Sequence, residues 1–160
     1  WANDRLIPDI LLSFERGESV VIRNPKATRP WQHVLEPLSG YLILAQKLYE
    51  NQETYAEGWN FGPKEDDVKA VDWILNKMIS KWPNSSWELD VTCNPHEAKF
   101  LKLDISKAKS KLDWEPVWEL THTLEKIVAW HRAWLNQEDM QAVSFTEIKE
   151  YMRDMNNENN

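Results

Sequence analysis

Arg23 and Arg29, six residues apart, are the side chains of this sequence best suited to chemistry. Arg23 follows the apolar run Val20-Val21-Ile22, and Arg23-Asn24-Pro25 turns the chain into a polar loop that delivers Arg29. Both guanidiniums can therefore reach one phosphate-bearing ligand, and a forked, permanently charged group suits a diphosphate better than lysine does. Each arginine can equally pair with a neighbouring acid such as Glu36, and residue type alone leaves both readings open. Arg5 poses the same question, since an arginine in the first turn of a helix opposes the dipole unless something anionic compensates. Asn60 lies between Gly58 and Gly62, where glycines permit close approach of a ligand or another backbone. Trp31, Trp59 and Trp87 offer flat faces for a base or sugar, or simply core volume.

Other chemistries lack their parts. Cys93 and His96 have ligand-like spacing but no second pair, so no zinc site is expected. No helix terminus or strained elbow marks Cys93 as a nucleophile. His122 and His131 stand nine apart and do not share a helix face as a ligand pair would. No Gly-x-Gly-x-x-Gly occurs, and none of Tyr41, Tyr49, Tyr55 or Tyr151 has a lysine four residues later, so neither a dinucleotide loop nor a hydride-transfer pair is present. The chain is thus expected to supply no catalytic, cofactor-binding or metal-ligating residue of its own.

The elements that must position the arginines can be read from periodicity. Ile7, Ile10, Leu11 and Phe14 recur at helical spacing, with Pro8 at a permitted first-turn position, so a helix over 6–16 is expected, capped by Asn3 or Asp4 and ended by Gly17. A strand over 20–22 and another over 31–34 follow, placing Arg29 at a strand mouth. Glu36 and Pro37 then open a helix over 37–50, glutamate at the positive end of the dipole and proline where it is tolerated. Residues 58–63 read as a short strand and 66–81 as a helix with Val68, Val71, Ile74, Leu75 and Met78 on one face. Trp87, Leu89 and Val91 alternate as a strand with one buried face. Residues 93–97 form a polar loop and 100–103 an extended piece. Ser106 caps a helix to Leu112, Thr121 or Thr123 starts the strongest helix, and Ser144 to Glu147 has capping-box spacing before Ile148. Residues 156–160 are polar and expected to fray.

Whole-chain properties narrow the class. The 160 residues, 42% hydrophobic and 28% charged, suffice for one modest core. Net charge of −7, from 19 basic and 26 acidic residues, argues against nucleic acid or an anionic membrane as partner. A single cysteine fits a reducing, cytoplasmic setting, and no apolar run approaches bilayer length. Trp1 stands where an initiator methionine would, so the chain is expected to begin inside a longer protein. Several helices with short, scattered strands suggest the second lobe of an α/β enzyme.

The string Arg-Pro-Trp-Gln-His-Val-Leu-Glu-Pro-Leu-x-Gly-Tyr-Leu from Arg29 to Leu42, with Trp-Ala-x-Asp-Arg-Leu-Ile-Pro-Asp from Trp1, resembles the CDP-glucose 4,6-dehydratases of the extended short-chain dehydrogenase/reductase family. Asp-Ile-Ser-Lys-Ala from Asp104 and Leu-Asp-Trp-Glu-Pro from Leu112 are similar to a C-terminal pattern of nucleotide-sugar enzymes, with Asp113 where glycine is usual. The resemblance covers Trp1 to about Trp134. It implies an α/β fold in which residues 1–137 form the C-terminal, nucleotide-sugar-binding lobe and 138–160 a helix and tail. The Rossmann half, which binds NAD and carries the tyrosine-lysine pair, would precede Trp1. By the same resemblance the intact enzyme, usually a homo-oligomer, oxidises CDP-glucose at C4, eliminates water across C5 and C6, and returns the hydride to C6. The product, CDP-4-keto-6-deoxy-D-glucose, feeds dideoxysugar synthesis for bacterial O-antigen lipopolysaccharide. Other NAD-dependent nucleotide-sugar epimerases or dehydratases, and a non-catalytic tryptophan-rich carbohydrate module, are the alternatives. Matched residue by residue, Arg5 and Leu6 touch the nucleotide, Val21 and Arg23 lie against the base, Arg29 holds the diphosphate and Asn60 lies near it. His96 matches the histidine of an Arg-Pro-Gly-His loop whose arginine is replaced here by the Cys93-Asn94 region.

Overall fold

The computed structural model describes residues 5–92 and 100–158. The first helix, α1 (Leu6–Arg16), forms as its periodicity requires, burying Ile10, Leu11 and Phe14. It ends at Gly17, whose φ of 66° is left-handed and lets its amide and that of Glu18 bond back to the last turn. Arg5 occupies the N-cap with no side-chain cap bond. The expected caps, Asn3 and Asp4, lie outside the described residues.

Strand β1 (Val20–Ile22) pairs in parallel with β4 (Trp87–Leu89), and β2 (Thr28–Pro30) pairs antiparallel with β3 (Val68–Ala70). The expected strand over 31–34 is therefore displaced toward the N-terminus. The physical reason is Pro30, which drives the preceding Arg29 into extended backbone while lacking the N–H that a longer ladder would need. Arg29 sits in mid-strand, opposite Lys69, rather than at a strand mouth. The helix expected over 66–81 is divided for the same reason: Glu65–Asp67 is a 3-10 turn, Val68–Ala70 is recruited by β2, and α4 spans Val71–Lys81. Of the anticipated buried face only Trp87 packs on the core, since Leu89 is 52% exposed and Val91, beyond the end of β4, 88%.

Helix α2 (Leu35–Glu50) starts two residues earlier than expected and is followed by the short α3 (Gln52–Tyr55). Residues 58–63 form no strand. Phe61 instead drops beneath Gly40, where an added Cβ would stand 2.2 Å from its ring, so glycine at that position is a packing requirement. Helix α5 (Ser106–Leu112) is capped by Asp104, whose carboxylate accepts from the Ser106 amide at 2.9 Å, with Ser106 itself as the first helical residue. It closes on Asp113 at φ 53°, the left-handed geometry that makes glycine usual there. Helix α6 spans Leu120–Leu135 and α7 Met140–Glu158. The start of α7 is set by Asp139, which accepts from the Gln141 and Ala142 amides. The Ser144 to Glu147 spacing thus falls inside the helix, and residues 156–158 are helical rather than frayed.

The main core joins α1, β1, α4 and α6 through residues such as Ile10, Val20, Ile74, Leu75 and Leu124. A second cluster sets Phe61, Ala108, Leu112 and Trp114 against α2, and a third gathers Val117, Trp118 and Tyr151. No described helix is long and apolar enough to cross a membrane.

Candidate functional site

Period-two alternation decides where the first candidate points. Val20 and Ile22 of β1 are buried in the core, so Val21 between them faces outward, 57% exposed. There it joins a cavity of about 300 Å³ whose walls include Leu6 and Asp9 of α1, Arg23, Asn24, Arg29 and Trp31. Four of the residues singled out from the sequence, Leu6, Val21, Arg23 and Arg29, are thus brought together. The Arg29 side chain is half-buried, and one of its terminal nitrogens, Nη1, donates to the Thr28 carbonyl at 2.9 Å, which fixes the orientation of the guanidinium. Trp31 is anchored through its indole N–H on the Lys69 carbonyl at 2.8 Å and packs on the core from behind. It is both core and wall, the two roles that residue type had left open. Two guanidiniums and one carboxylate, Asp9, line the cavity, an excess of positive charge in a protein of net charge −7.

Glu36, the acid proposed as a neutralising partner, is elsewhere. It is fully buried, accepting from the Val117 and Trp118 amides at 2.9 and 2.8 Å and from the Tyr151 hydroxyl at 2.6 Å. Burial pushes its carboxyl above the ordinary range, against the opposing pull of these three donors and of nearby His33. Its role is to tie α2, the 117–118 segment and α7 together.

The remaining sequence candidates do not join the cavity. Arg5 is exposed at the N-cap of α1, outside the lining. Asn60 is exposed in the middle of the 58–63 segment and donates to the Asp104 carbonyl at 3.3 Å, so it serves the α5 cap region. His96, with Cys93 and Asn94, lies outside the described residues. The sequence reading missed Asp9 and Asn24, although Asp9 stands three residues after Leu6 on the same helix face and Asn24 follows Arg23 directly.

The histidines outside that loop are engaged. His131 is fully buried beside Glu15 at 2.5 Å, and His33 pairs with Glu147 at 2.9 Å. His122, Glu150 and Asp154 approach within 4.8 Å, yet Glu150 is paired with Lys126 and Asp154 accepts from the Trp118 indole. As for NAD, Gly17 ends a helix, Gly40 lies inside α2, and Gly58 and Gly62 flank a segment that forms neither strand nor helix. No strand-turn-helix phosphate cradle is built by them, so the described residues do not fit the cofactor.

A second, apolar cavity of about 370 Å³ lies on the other side of α1, lined by Ile7, Pro8 and Leu11 with residues of α6 and α7. It is the larger of the two, but its ionisable groups, His33 with Glu147 and His131 with Glu15, are already matched. Wall chemistry, rather than volume, places the candidate site in the arginine-bearing groove.

No family model matches the chain. Against individual proteins it is 56% identical over 153 residues to the CDP-glucose 4,6-dehydratase of Salmonella typhimurium, a match covering 95% of this chain and 43% of that protein. This chain is a relative of CDP-glucose 4,6-dehydratase. Its fold matches a UDP-N-acetylglucosamine 4-epimerase from Bacillus cereus with a TM-score of 0.58 at 20% identity, over 82% of this chain and 44% of the epimerase. The likeness to the dehydratase bears out the resemblance drawn from the Arg29 to Leu42 string. The likeness to the epimerase bears out the α/β class, a mostly helical fold with short strands. The chain spans less than half the length of either protein.

Proposed function

We propose that this chain is the nucleotide-sugar-binding lobe of an NAD-dependent CDP-glucose 4,6-dehydratase, a hydro-lyase that converts CDP-D-glucose to CDP-4-keto-6-deoxy-D-glucose and water. The observation that carries the reading is the convergence of Arg23 and Arg29 with Leu6 and Val21 in one groove, within a sequence 56% identical to such an enzyme. Val21, Leu6 and Trp31 form an apolar wall for the cytosine base, Arg23 closes its edge, and Arg29, held by the Thr28 carbonyl, takes the diphosphate. At about 300 Å³ the groove is at the lower limit for a ligand pocket, so it grips the nucleotide end while the sugar extends toward the rest of the enzyme.

In this reading residues 1–137 are the binding lobe, the helix within 138–160 braces it, and Arg5, Asn60 and His96 are peripheral contacts completed when the substrate is bound. The NAD site and the catalytic residues belong to a preceding Rossmann half, and the chain alone is inactive. The intact enzyme is a cytoplasmic homo-oligomer serving dideoxysugar and O-antigen synthesis.

Calorimetric titration of the full-length enzyme with CDP, before and after Arg29→Ala, tests the site. Hydrogen bonds to charged groups contribute about 1.5–3 kcal/mol, so a loss below ~1 kcal/mol would remove Arg29 from the diphosphate. The fold likeness to a UDP-sugar epimerase keeps one second reading in play, an enzyme of another nucleotide sugar. Turnover of CDP-glucose against UDP- and dTDP-glucose separates the two.

A further inference from the structure

Helix α2 is apolar on two opposite faces. Its inner face is explained: Glu36 and Gly40 are buried, and Ile43 and Leu44 pack on the Phe61–Trp114 cluster. Its outer face is not. Val34, just before the helix, then Leu38, Tyr41, Leu42, Ala45 and Tyr49 follow one another at helical spacing, all of them exposed. Leu42 is 74% and Tyr49 94% exposed, and the stripe contains no charged residue. Charge is confined to its end, where Lys47 and Glu50 pair with each other at 3.5 Å. A surface helix of a closed domain is polar on its outer face, and a helix apolar all round is a buried one. The stripe exposes on the order of 600 Å² of side-chain surface, at the upper limit of the patches monomers tolerate and close to one side of a standard interface.

What covers it is indicated by length. The 56%-identical relative and the fold neighbour both carry more than half of their chain beyond the part matched here. We infer that the outer face of α2 is the seam on which this lobe docks against the larger portion of the full-length polypeptide, with Leu42 and Tyr49 at its centre. The inference rests on the proposal above that the chain is one lobe of a longer enzyme. Because Arg29 lies six residues ahead of α2 on the same run of chain, the seam also sets how far the diphosphate-binding arginine stands from the other half.

Hydroxyl-radical footprinting with mass-spectrometric readout tests the seam without nucleotide. Oxidation of the peptide carrying Tyr41, Leu42 and Tyr49 is expected to fall at least tenfold from the 160-residue chain to the full-length polypeptide. Equal oxidation in both overturns the seam. So does shielding already present in the 160-residue chain that disappears on dilution, which would make a second copy the occupant. As a second measure, Leu42→Asp is expected to leave the melting temperature of the short chain unchanged and to lower that of the full-length protein by about 3 °C or more. No shift in either overturns the seam. CDP titration of the same full-length protein separates the two proposals: shielding without CDP binding refutes the substrate and keeps the seam, and CDP binding without shielding does the reverse.

Discussion

The two grooves that flank α1 differ less in size than in what their charges are doing. On one side Leu6 and Asp9 face a pocket where Arg23 and Arg29 outnumber the single carboxylate. On the other, Ile7, Pro8 and Leu11 face a larger cavity in which the ionisable groups are matched, His33 to Glu147 and His131 to Glu15. Just beyond it, Glu36 is saturated by two amides and a hydroxyl. Ion pairs closed within the fold hold elements together, whereas an excess of one sign on a wall sets the electrostatic character of the groove. The contrast teaches that groups close in sequence, such as Arg29 on a groove wall and Glu36 in the interior, can be sent to different environments by a short run of chain.

The contrast can be broken most directly at Glu36. Glu36→Ala leaves two buried amides without their acceptor and takes the carboxylate from the Tyr151 hydroxyl, and urea unfolding is expected to show a loss of about 3 kcal/mol or more. An effect near zero would mean the carboxylate is not structural. Gly40→Ala, which forces a Cβ into the Phe61 ring, should lower stability by about 2 kcal/mol in the same assay.

A sharper comparison pairs Arg29→Ala with Ile148→Ala, one from each groove. CDP affinity of the full-length enzyme should fall by about 1.5 kcal/mol or more in the first and by less than ~0.5 in the second. Reversed ranks would move the site to the apolar side.

The smallest effect concerns pH. The folded-state pKa of Glu36 is raised by burial, so its protonation favours the native state: the associated stability is present below the unfolded pKa and is lost as pH rises through the folded one. Tyr151→Phe removes a donor that pulls this pKa down and thereby extends the loss upward in pH. The stability gap between wild type and Tyr151→Phe, followed by urea midpoints, is expected to widen from pH 4 to pH 8, reaching on the order of 1 kcal/mol. A gap constant with pH would show that Glu36 is not the titrating group.

Much of the candidate site was legible in the residues. The 20–22 strand and the 6–16 helix follow from local periodicity, and together they put Leu6 and Val21 on one wall with Arg23 at its end. Asn60 was misplaced because its segment reads as a strand between glycines, while Phe61 needed the space under Gly40 and drew the segment out of any ladder. The β2–β3 pairing was illegible for a related reason: Val68 fits the helical face of Val71, Ile74 and Leu75, and only a partner strand 38 residues earlier in the register turns it into β-structure.

By itself the sequence determined the helices whose apolar spacing is unambiguous, the absence of a cofactor loop, the pair of arginines and the resemblance carried by the run from Arg29 to Leu42. These depend on side-chain type and on contacts within a few residues. The tertiary structure alone decided which charges are spent inside the fold, where the short strands begin and end, and that α2 carries an apolar face turned outward. Each of those turns on partners distant in sequence, and strands of three residues have too little propensity of their own to choose them.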